Sequence, residues 1–223
     1  MYKAIVFDFG NTLAQSASLA EALKAVVDVD KAIVIGESIE AEIAALYKPD
    51  QQEQPDWKVI WDRCFAAAGL AFQEELGRQH LERFCSLNQT FQGIPELLSE
   101  LKHRGMKLGL LSNVTGPYEI FQKDLEHRGL AKYFDAIVWS SAIGYRKPCS
   151  LAFEAVLAKL GVDPKEALMV GDSEIADIEG AAKVGMATVW VTSQPNKHTA
   201  DYSTCPQRLA TDVLSIAGAA RLK

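Results

Sequence analysis

Long apolar runs and clustered cysteines are both missing from the 223-residue sequence. No apolar run approaches the roughly 20 residues of a membrane-spanning helix, so we expect no membrane partner. The cysteines at positions 64, 85, 149 and 205 are scattered, without the spacing of a metal site. Because no secretory signal is visible either, we expect free thiols in a reducing compartment and a cytoplasmic location.

Basic residues are outnumbered, with 23 Lys and Arg against 29 Asp and Glu and a net charge of -6. This balance argues against a nucleic-acid partner bound through phosphate contacts. A local pocket on an acidic protein can still be positive, so a small anionic ligand is not excluded. Hydrophobic residues make up 48% of the chain, which predicts a packed globular core. Monomer and homodimer remain open.

Five short apolar runs each end in small or polar residues. They are nearly continuous rather than alternating, which is typical of strands buried on both faces of a parallel sheet. The runs are "KAIVFDF" (3–9), "KLGLLSN" (107–113), "DAIVWSS" (135–141), "ALMVGDS" (167–173) and "ATVWVTS" (187–193).

Helical patterns separate the later runs, in "IPELLSELKHRG", "SLAFEAVLAKLG" and "IADIEGAAKVG". Each carries apolar residues at helical spacing or ends at a glycine. Strands that alternate with helices predict right-handed βαβ units. We therefore expect an α/β fold, a doubly wound Rossmann-like parallel sheet of five or more strands.

One interval, residues 15–90, breaks this alternation. Its patterns predict helices near 18–29, 37–48, 55–68 and 74–87, and the propensity of 31–39 also allows a strand there. We interpret it as an inserted helical cap subdomain within a core domain of residues 1–14 and 91–223. The apolar spacing of Trp57, Trp61 and Phe65 indicates cap core rather than a substrate platform, and the dispersed histidines are expected at the surface.

Charged and polar side chains follow the predicted strands where a parallel sheet presents its ligand-binding edge. They are Asp8, Ser112, Asn113, Lys147, Asp172 and Asp177. Three gathered carboxylates repel one another and need a cation. A divalent ion together with Lys147 would balance their charge, and oxygen ligands favour Mg²⁺. No His or Cys stands at these strand ends, so zinc is not expected.

Such a site suits a phosphoryl group. Backbone N–H groups of the Gly10-Asn11-Thr12 turn, and of a helix that we expect after Ser112-Asn113, could bind its oxygens. A carboxylate facing the phosphorus could attack it and form an aspartyl-phosphate. The sequence therefore predicts a small phosphorylated substrate.

The motifs "DFGNT", "LLSN", "RKP" and "GDSEIAD", in this order, resemble the four motifs of the haloacid dehalogenase superfamily. The resemblance covers the expected core, and the insert is similar to that superfamily's helical cap. It implies Asp8 as nucleophile, Ser112 on the phosphate and Lys147 stabilising charge. It also implies Mg²⁺ held by Asp8, Asp172, Asp177 and the backbone carbonyl of Gly10.

Gly10 departs from the phosphatase pattern, which has a second aspartate there as general acid and base. Such help is worth about 10²–10⁴ in rate. A phosphatase without this aspartate could act on a substrate whose leaving group needs little protonation, or could take the proton from an acid of the cap, from Glu174 or from water. The alternatives are a phosphonatase that uses a cap lysine (Lys24, Lys31, Lys48 or Lys58), a dehalogenase, and a protein that binds a phosphorylated ligand without catalysis. The paired Asp172 and Asp177 count against the dehalogenase, and the intact Asp8 against the binder.

Overall fold

The computed structural model describes residues 2–48, 50–193 and 199–219. Within them the strands are β1 (Ala4–Phe7), β2 (Ala14–Gln15), β3 (Gln89–Thr90), β4 (Lys107–Ser112), β5 (Ala136–Trp139), β6 (Ala167–Gly171), β7 (Ala187–Val191) and β8 (Tyr202–Thr204). The helices are α1 (Leu19–Leu23), α2 (Val29–Ala45), α3 (Trp57–Ala67), α4 (Glu74–Leu87), α5 (Ile94–His103), α6 (Tyr118–His127), α7 (Ser140–Ile143), α8 (Ser150–Leu160), α9 (Gly180–Lys183) and α10 (Leu209–Ala219). A π-helical segment, Glu174–Glu179, leads directly into α9.

Six strands form one parallel sheet in the order β5-β4-β1-β6-β7-β8. All five predicted strands are present, within two residues of their predicted positions. The sixth, β8, was not predicted, because Tyr202 and Ser203 are exposed and only Thr204 is buried. A strand this short and polar gives no apolar run to detect.

Helices cover both faces of the sheet, as predicted for a doubly wound fold. Ile5 and Phe7 of β1 join the apolar cluster that includes residues of α5 and α10. Ala4 and Val6, on the opposite face, join the cluster containing residues of α8 and α9. Because successive side chains of a strand point to opposite faces, an unbroken apolar run is what a sheet covered on both sides requires.

The chain between β2 and β3, which pair antiparallel, contains α1 to α4, and we call these four helices the helical insert. They enclose an apolar cluster to which Trp57, Trp61 and Phe65 all belong, and to which Ile120 of α6 also contributes. These aromatic residues are therefore core residues, as predicted. The domain boundaries at residues 14–15 and 90–91 remain predictions. None of the helices in the described ranges is both long and apolar enough to cross a bilayer.

The strand considered for residues 31–39 is wrong, because this segment lies inside α2. Ala32, Ile35, Gly36 and Ile39 are its buried residues, spaced at i, i+3, i+4 and i+7, the period of a helix face. The β-branched neighbours that favoured a strand, at positions 33 and 34, point to solvent with 39% and 55% of their surface exposed.

The predicted break between the first two helices of the insert also lies elsewhere. Helix α1 ends at Leu23 and α2 already begins at Val29. Asp28 caps α2, since its side chain accepts a hydrogen bond from the Asp30 N–H at 3.1 Å. An acid before a helical segment is a typical N-cap, so Asp28 indicated this boundary. The strand propensity of residues 31–39 made it hard to recognise.

Candidate active site

The carboxyl edges of β1 and β6 place the two leading acids side by side. The strands are adjacent and parallel, with Phe7 level with Val170, and the Asp8 N–H donates to the Val170 carbonyl at 2.9 Å. Asp172 follows the end of β6, and Asp177 lies on the π-helical segment. One oxygen from each of the three carboxylates lies within 4.8 Å of the others.

Gly171 allows Asp177 to approach the end of β6 so closely. A Cβ atom at position 171 would lie 2.3 Å from the Asp177 carboxylate, so any other residue would displace it. The Ser173 N–H donates to Asp177 Oδ2 at 3.0 Å. The glycine and this hydrogen bond together fix one orientation of the carboxylate.

Lys147 joins the acids from the opposite side. Its Nζ lies 2.7 Å from Asp8 Oδ1 and 2.6 Å from Asp177 Oδ1, and it donates to the Leu111 carbonyl at 2.7 Å. The side chain is almost fully buried. Its neighbour Arg146 contacts neither acid and donates instead to Gln54 and Thr115, so Lys147 is the cation of this cluster.

The pKa values show why the acids need positive charge. Burial, followed by the charges of Asp8 and Asp177, raises the pKa of Asp172 to about 8. Burial likewise raises the pKa of Asp177 to about 6; Lys147 opposes this rise, and Asp8 adds to it. Burial works against a charged Lys147, but Asp177 and Asp8 outweigh it and raise the pKa of Lys147. One lysine is thus too little positive charge for three ionised carboxylates.

The donors at this cluster fit a hard divalent cation. They are carboxylate oxygens from three acids, and oxygen is the ligand type that Mg²⁺ prefers. Asp8 and Asp172 offer the freer oxygens. Both oxygens of Asp177 already have protein partners, Lys147 and the Ser173 N–H.

The turn after β1 departs from the expected phosphate cradle in two ways. The Asn11 N–H donates to the Ala14 carbonyl at 2.6 Å, so it is already used. Thr12 is fully buried and is not among the residues that line the cavity described below. Asn11 adopts the left-handed conformation with φ 52°, which asparagine tolerates better than most residues.

The Asn11 side chain supports the cluster instead. Its Oδ1 accepts a hydrogen bond from the Ser16 N–H at 3.2 Å, and its hydrogen bond to the Asp172 carboxylate opposes, without reversing, the rise in the pKa of that acid that burial causes. Gly10 sits at the cavity wall, where an added Cβ would lie 3.0 Å from Ser16 Oγ.

The helix expected directly after Ser112-Asn113 begins only at Tyr118, with Pro117 before it. The helix start predicted directly after these two residues is therefore wrong. The Val114 N–H donates to Ser140 Oγ at 2.9 Å instead of facing a ligand. Ser112 still lies at the end of β4 and lines the cavity.

Asn113 has a role that the sequence did not reveal. Its Oδ1 accepts from the Lys147 N–H and its Nδ2 donates to the Lys147 carbonyl, both at 2.9 Å. This pair of bonds holds the backbone of the residue whose amine contacts Asp8. A polar residue after a strand is common, so only the tertiary contact distinguishes this clamp.

A cavity of about 550 Å³ opens onto Asp8, Asp172 and Ser112. The helical insert supplies one wall, and the core around β1, β4 and β5 supplies the other. Its lining includes Phe9, Gly10, Asn11, Leu19, Glu40, Ile43, Tyr47, Leu81, Phe84, Asn113, Thr115, Phe121 and Trp139. Two acids of the cluster, Asp8 and Asp172, therefore line a pocket large enough for a small organic ligand.

Comparisons with known proteins indicate one family. Residues 2–185 match the haloacid dehalogenase-like hydrolases. A glyceraldehyde 3-phosphate phosphatase of Methanothermobacter thermautotrophicus is 30% identical over 212 residues, 91% of each chain. A phosphoserine phosphatase of Thermus thermophilus is 35% identical over 120 residues, 52% of this chain and 47% of that protein.

Solved structures agree with this match. The crystal structure of a HAD phosphatase from Thermococcus onnurineus has a TM-score of 0.67 at 28% identity, covering 95% of this chain and 97% of that one. The fold, the acidic cluster with its lysine and the match over most of the chain converge on one conclusion: the protein belongs to the haloacid dehalogenase-like hydrolase family.

Proposed function

We propose that the protein is a Mg²⁺-dependent phosphatase that hydrolyses a small phosphorylated metabolite through an aspartyl-phosphate on Asp8. One observation carries this proposal. The Lys147 amine contacts both Asp8 and Asp177 within a group of three carboxylates, of which Asp8 and Asp172 line a cavity. That arrangement places the Lys147 amine on one oxygen of Asp8 and leaves the second oxygen for a reacting phosphoryl group.

The ion would be held by Asp8, Asp172 and the Gly10 carbonyl, and by Asp177 through water because both its oxygens have protein partners. When bound, Mg²⁺ supplies charge stabilisation for the transferring phosphoryl group. Asp8 forms a bond to phosphorus as the bond to the leaving oxygen breaks. Lys147 stabilises negative charge on the phosphoryl oxygens, and Ser112 donates a hydrogen bond to one of them. Water then attacks the acyl phosphate and releases phosphate, which restores Asp8.

One group next to α2 could serve in place of the acid missing at Gly10. Tyr47 lines the cavity, whereas Glu174 is exposed and lies outside its lining. Burial raises the pKa of Tyr47 to about 12, so its phenol stays protonated and can donate a hydrogen bond. This leaves a cap donor, or water, as the favoured source of the proton.

The phosphonatase alternative needs a cap amine at the reacting carbon. None of its four candidate lysines lines the cavity. Lys24 pairs with Glu21 and Lys58 lies near Glu74, both at the surface. The geometry therefore favours phosphate-ester hydrolysis. We further propose a cytoplasmic protein that acts as a monomer or homodimer, without nucleic-acid or membrane partners.

Phosphate release from sugar phosphates, alkyl phosphates and acetyl phosphate, with and without Mg²⁺, tests the proposal. We expect turnover that needs the metal and is lost by at least about 10³-fold in Asp8→Asn, because an amide is a poor nucleophile. Asp50→Asn, which changes an exposed acid between α2 and α3, is the matched control and should keep the parent rate. If no ester or acyl phosphate is hydrolysed with Mg²⁺ present, the proposal is wrong.

A further inference from the structure

The cavity wall away from the acidic cluster is predominantly apolar. The helical insert contributes Leu19, Ile43, Leu81 and Phe84, and the core contributes Phe121 and Trp139. These side chains surround the space that the leaving group of a phosphate ester bound at Asp8 would occupy. An apolar wall of this extent favours the binding of ligands whose apolar surface is removed from water when they contact it.

The cavity offers no cation for a second anionic group. Among the described residues, none of those lining it is Lys, Arg or His. Lys147 is bound by Asp8 and Asp177, and Arg146 lies behind the wall, bonded to Gln54 and Thr115. A substrate with a carboxylate beside its phosphate would leave that carboxylate unpaired.

Polar groups on the insert side of the cavity are few and partly engaged. Glu40 adds a negative charge, and its Oε1 accepts hydrogen bonds from Ser18 Oγ and from the Leu19 N–H. The Asn88 amide oxygen accepts from the Ala17 N–H at 2.8 Å. Glu40 repels an anionic leaving group, and the Asn88 amide and the Tyr47 phenol, which also line this side, are uncharged donors that cannot neutralise one.

From these contacts we propose a substrate class: phosphate monoesters whose organic group is uncharged and largely apolar, such as a medium-length alkyl or an aryl-methyl group. The proposal rests on the proposed phosphatase activity and deepens it. Phosphate esters that carry a carboxylate are poor substrates of this site. The cavity volume of about 550 Å³ leaves room beyond the phosphoryl group for such an organic portion.

A matched substrate series tests this specificity. Ethyl, butyl and hexyl phosphate share one type of leaving oxygen and differ only in apolar surface. Each buried methylene group is worth roughly four-fold in binding, so we expect kcat/KM to rise at least about ten-fold from ethyl to hexyl. Adding a terminal carboxylate to butyl phosphate should lower kcat/KM at least about ten-fold. A flat or falling alkyl series, or a preference for the carboxylate, would overturn the inference.

A charge placed in the wall provides the reciprocal test. Phe84 is half-buried on α4 and lines the cavity, so Phe84→Lys places an amine there. We expect the ratio of kcat/KM for the carboxylated ester to that for hexyl phosphate to rise at least about ten-fold. Phe84→Leu keeps the wall apolar and should retain the parent preference. Val59→Lys adds the same charge at an exposed position of α3, and it should not change the ratio; an equal change in Val59→Lys would overturn the inference.

The outcomes separate this inference from the function on which it rests. Acetyl phosphate, whose organic group is too small to use the wall, reports phosphatase chemistry alone. If none of the compounds is hydrolysed, acetyl phosphate included, the proposed function is contradicted. Turnover of acetyl phosphate together with the wrong order among the esters contradicts only the substrate class.

Discussion

Gly10 is the residue at which this chain departs from the phosphatase pattern that the rest of its motifs resemble. It lines the cavity beside Asp8, and its φ is not in the left-handed region, so the backbone accepts a side chain. The nearest obstacle is Ser16 Oγ, 3.0 Å from an added Cβ atom. A hydroxyl at the end of a side chain can rotate away.

We therefore expect Gly10→Asp to accelerate hydrolysis of alkyl phosphates with poor leaving groups by about ten-fold or more, because general acid help is worth about 10²–10⁴ in full. Acetyl phosphate, which needs little protonation, should gain much less. Phosphate release from both compounds, measured at saturating Mg²⁺, checks this. Gly10→Asn fills the same space without an acid, and equal rates for the two variants would show that another group already supplies the proton.

Helix α4 carries a histidine that the sequence wrongly suggested was at the surface. His80 is fully buried; Trp61 Nε1 donates to its Nδ1 at 3.1 Å, and its Nε2 lies 2.9 Å from the Leu19 carbonyl. These partners fix the neutral tautomer with hydrogen on Nε2. His103 and His127 are exposed, as expected, and His198 lies outside the described residues. His80 thus links three helices of the insert.

Burial lowers the pKa of His80 to about 4, from an ordinary value of 6.5. Below pH 6.5 this histidine is protonated in the unfolded chain but stays neutral in the folded chain. Its contribution to the free energy of unfolding is therefore fully present above pH 6.5 and is lost as the pH falls toward 4. Between pH 7 and pH 5 we expect His80 to account for a loss of about 2 kcal/mol. Urea unfolding followed by tryptophan fluorescence at both pH values measures it.

The comparison that isolates this effect uses His80→Gln, whose amide can accept from Trp61 and donate to Leu19 without titrating. Its free energy of unfolding should fall less between pH 7 and pH 5 than that of the parent. His103→Gln removes an exposed histidine and should behave like the parent. A parallel pH dependence of all three proteins would contradict the buried, neutral state of His80.

At the scale of the whole molecule, the polar loop after α2 docks onto the segment that carries Lys147. The Arg146 N–H donates to the Gln52 carbonyl, and the Gln54 N–H donates to the Gly144 carbonyl, both at 2.9 Å. The Gln54 Oε1 accepts from Ser140 Oγ at 2.7 Å and from Arg146 Nη1 at 3.2 Å. The insert is thereby tied to the core beside the active site.

Gln54→Ala should lower the free energy of unfolding by about 1–3 kcal/mol, because it removes an acceptor from the fully buried guanidinium of Arg146. Denaturant unfolding at pH 7 measures the change. Gln52→Ala is the matched control, since the exposed side chain of Gln52 is removed while its backbone carbonyl remains. Similar losses in the two variants would mean that the Gln54 side chain contributes nothing to this contact.

The five main strands, their alternation with helices and the acids at the strand ends were all predictable from the amino-acid sequence. These features are local, because an apolar run or a motif is read from adjacent residues. Tertiary structure decided that α2 replaces the possible strand, since the helical spacing of its buried face outweighs the strand propensity of exposed Ile33 and Val34.

The sequence placed Lys147 and Asp8, 139 residues apart along the chain, at one edge of the sheet, but only the tertiary structure showed the direct contact of the two and made Asn113 the clamp of the Lys147 backbone. The same holds for the burial of His80 against Trp61 and for the apolar wall shared by insert and core. Such contacts depend on how distant elements pack, and no local spacing encodes which polar side chain will find a buried partner.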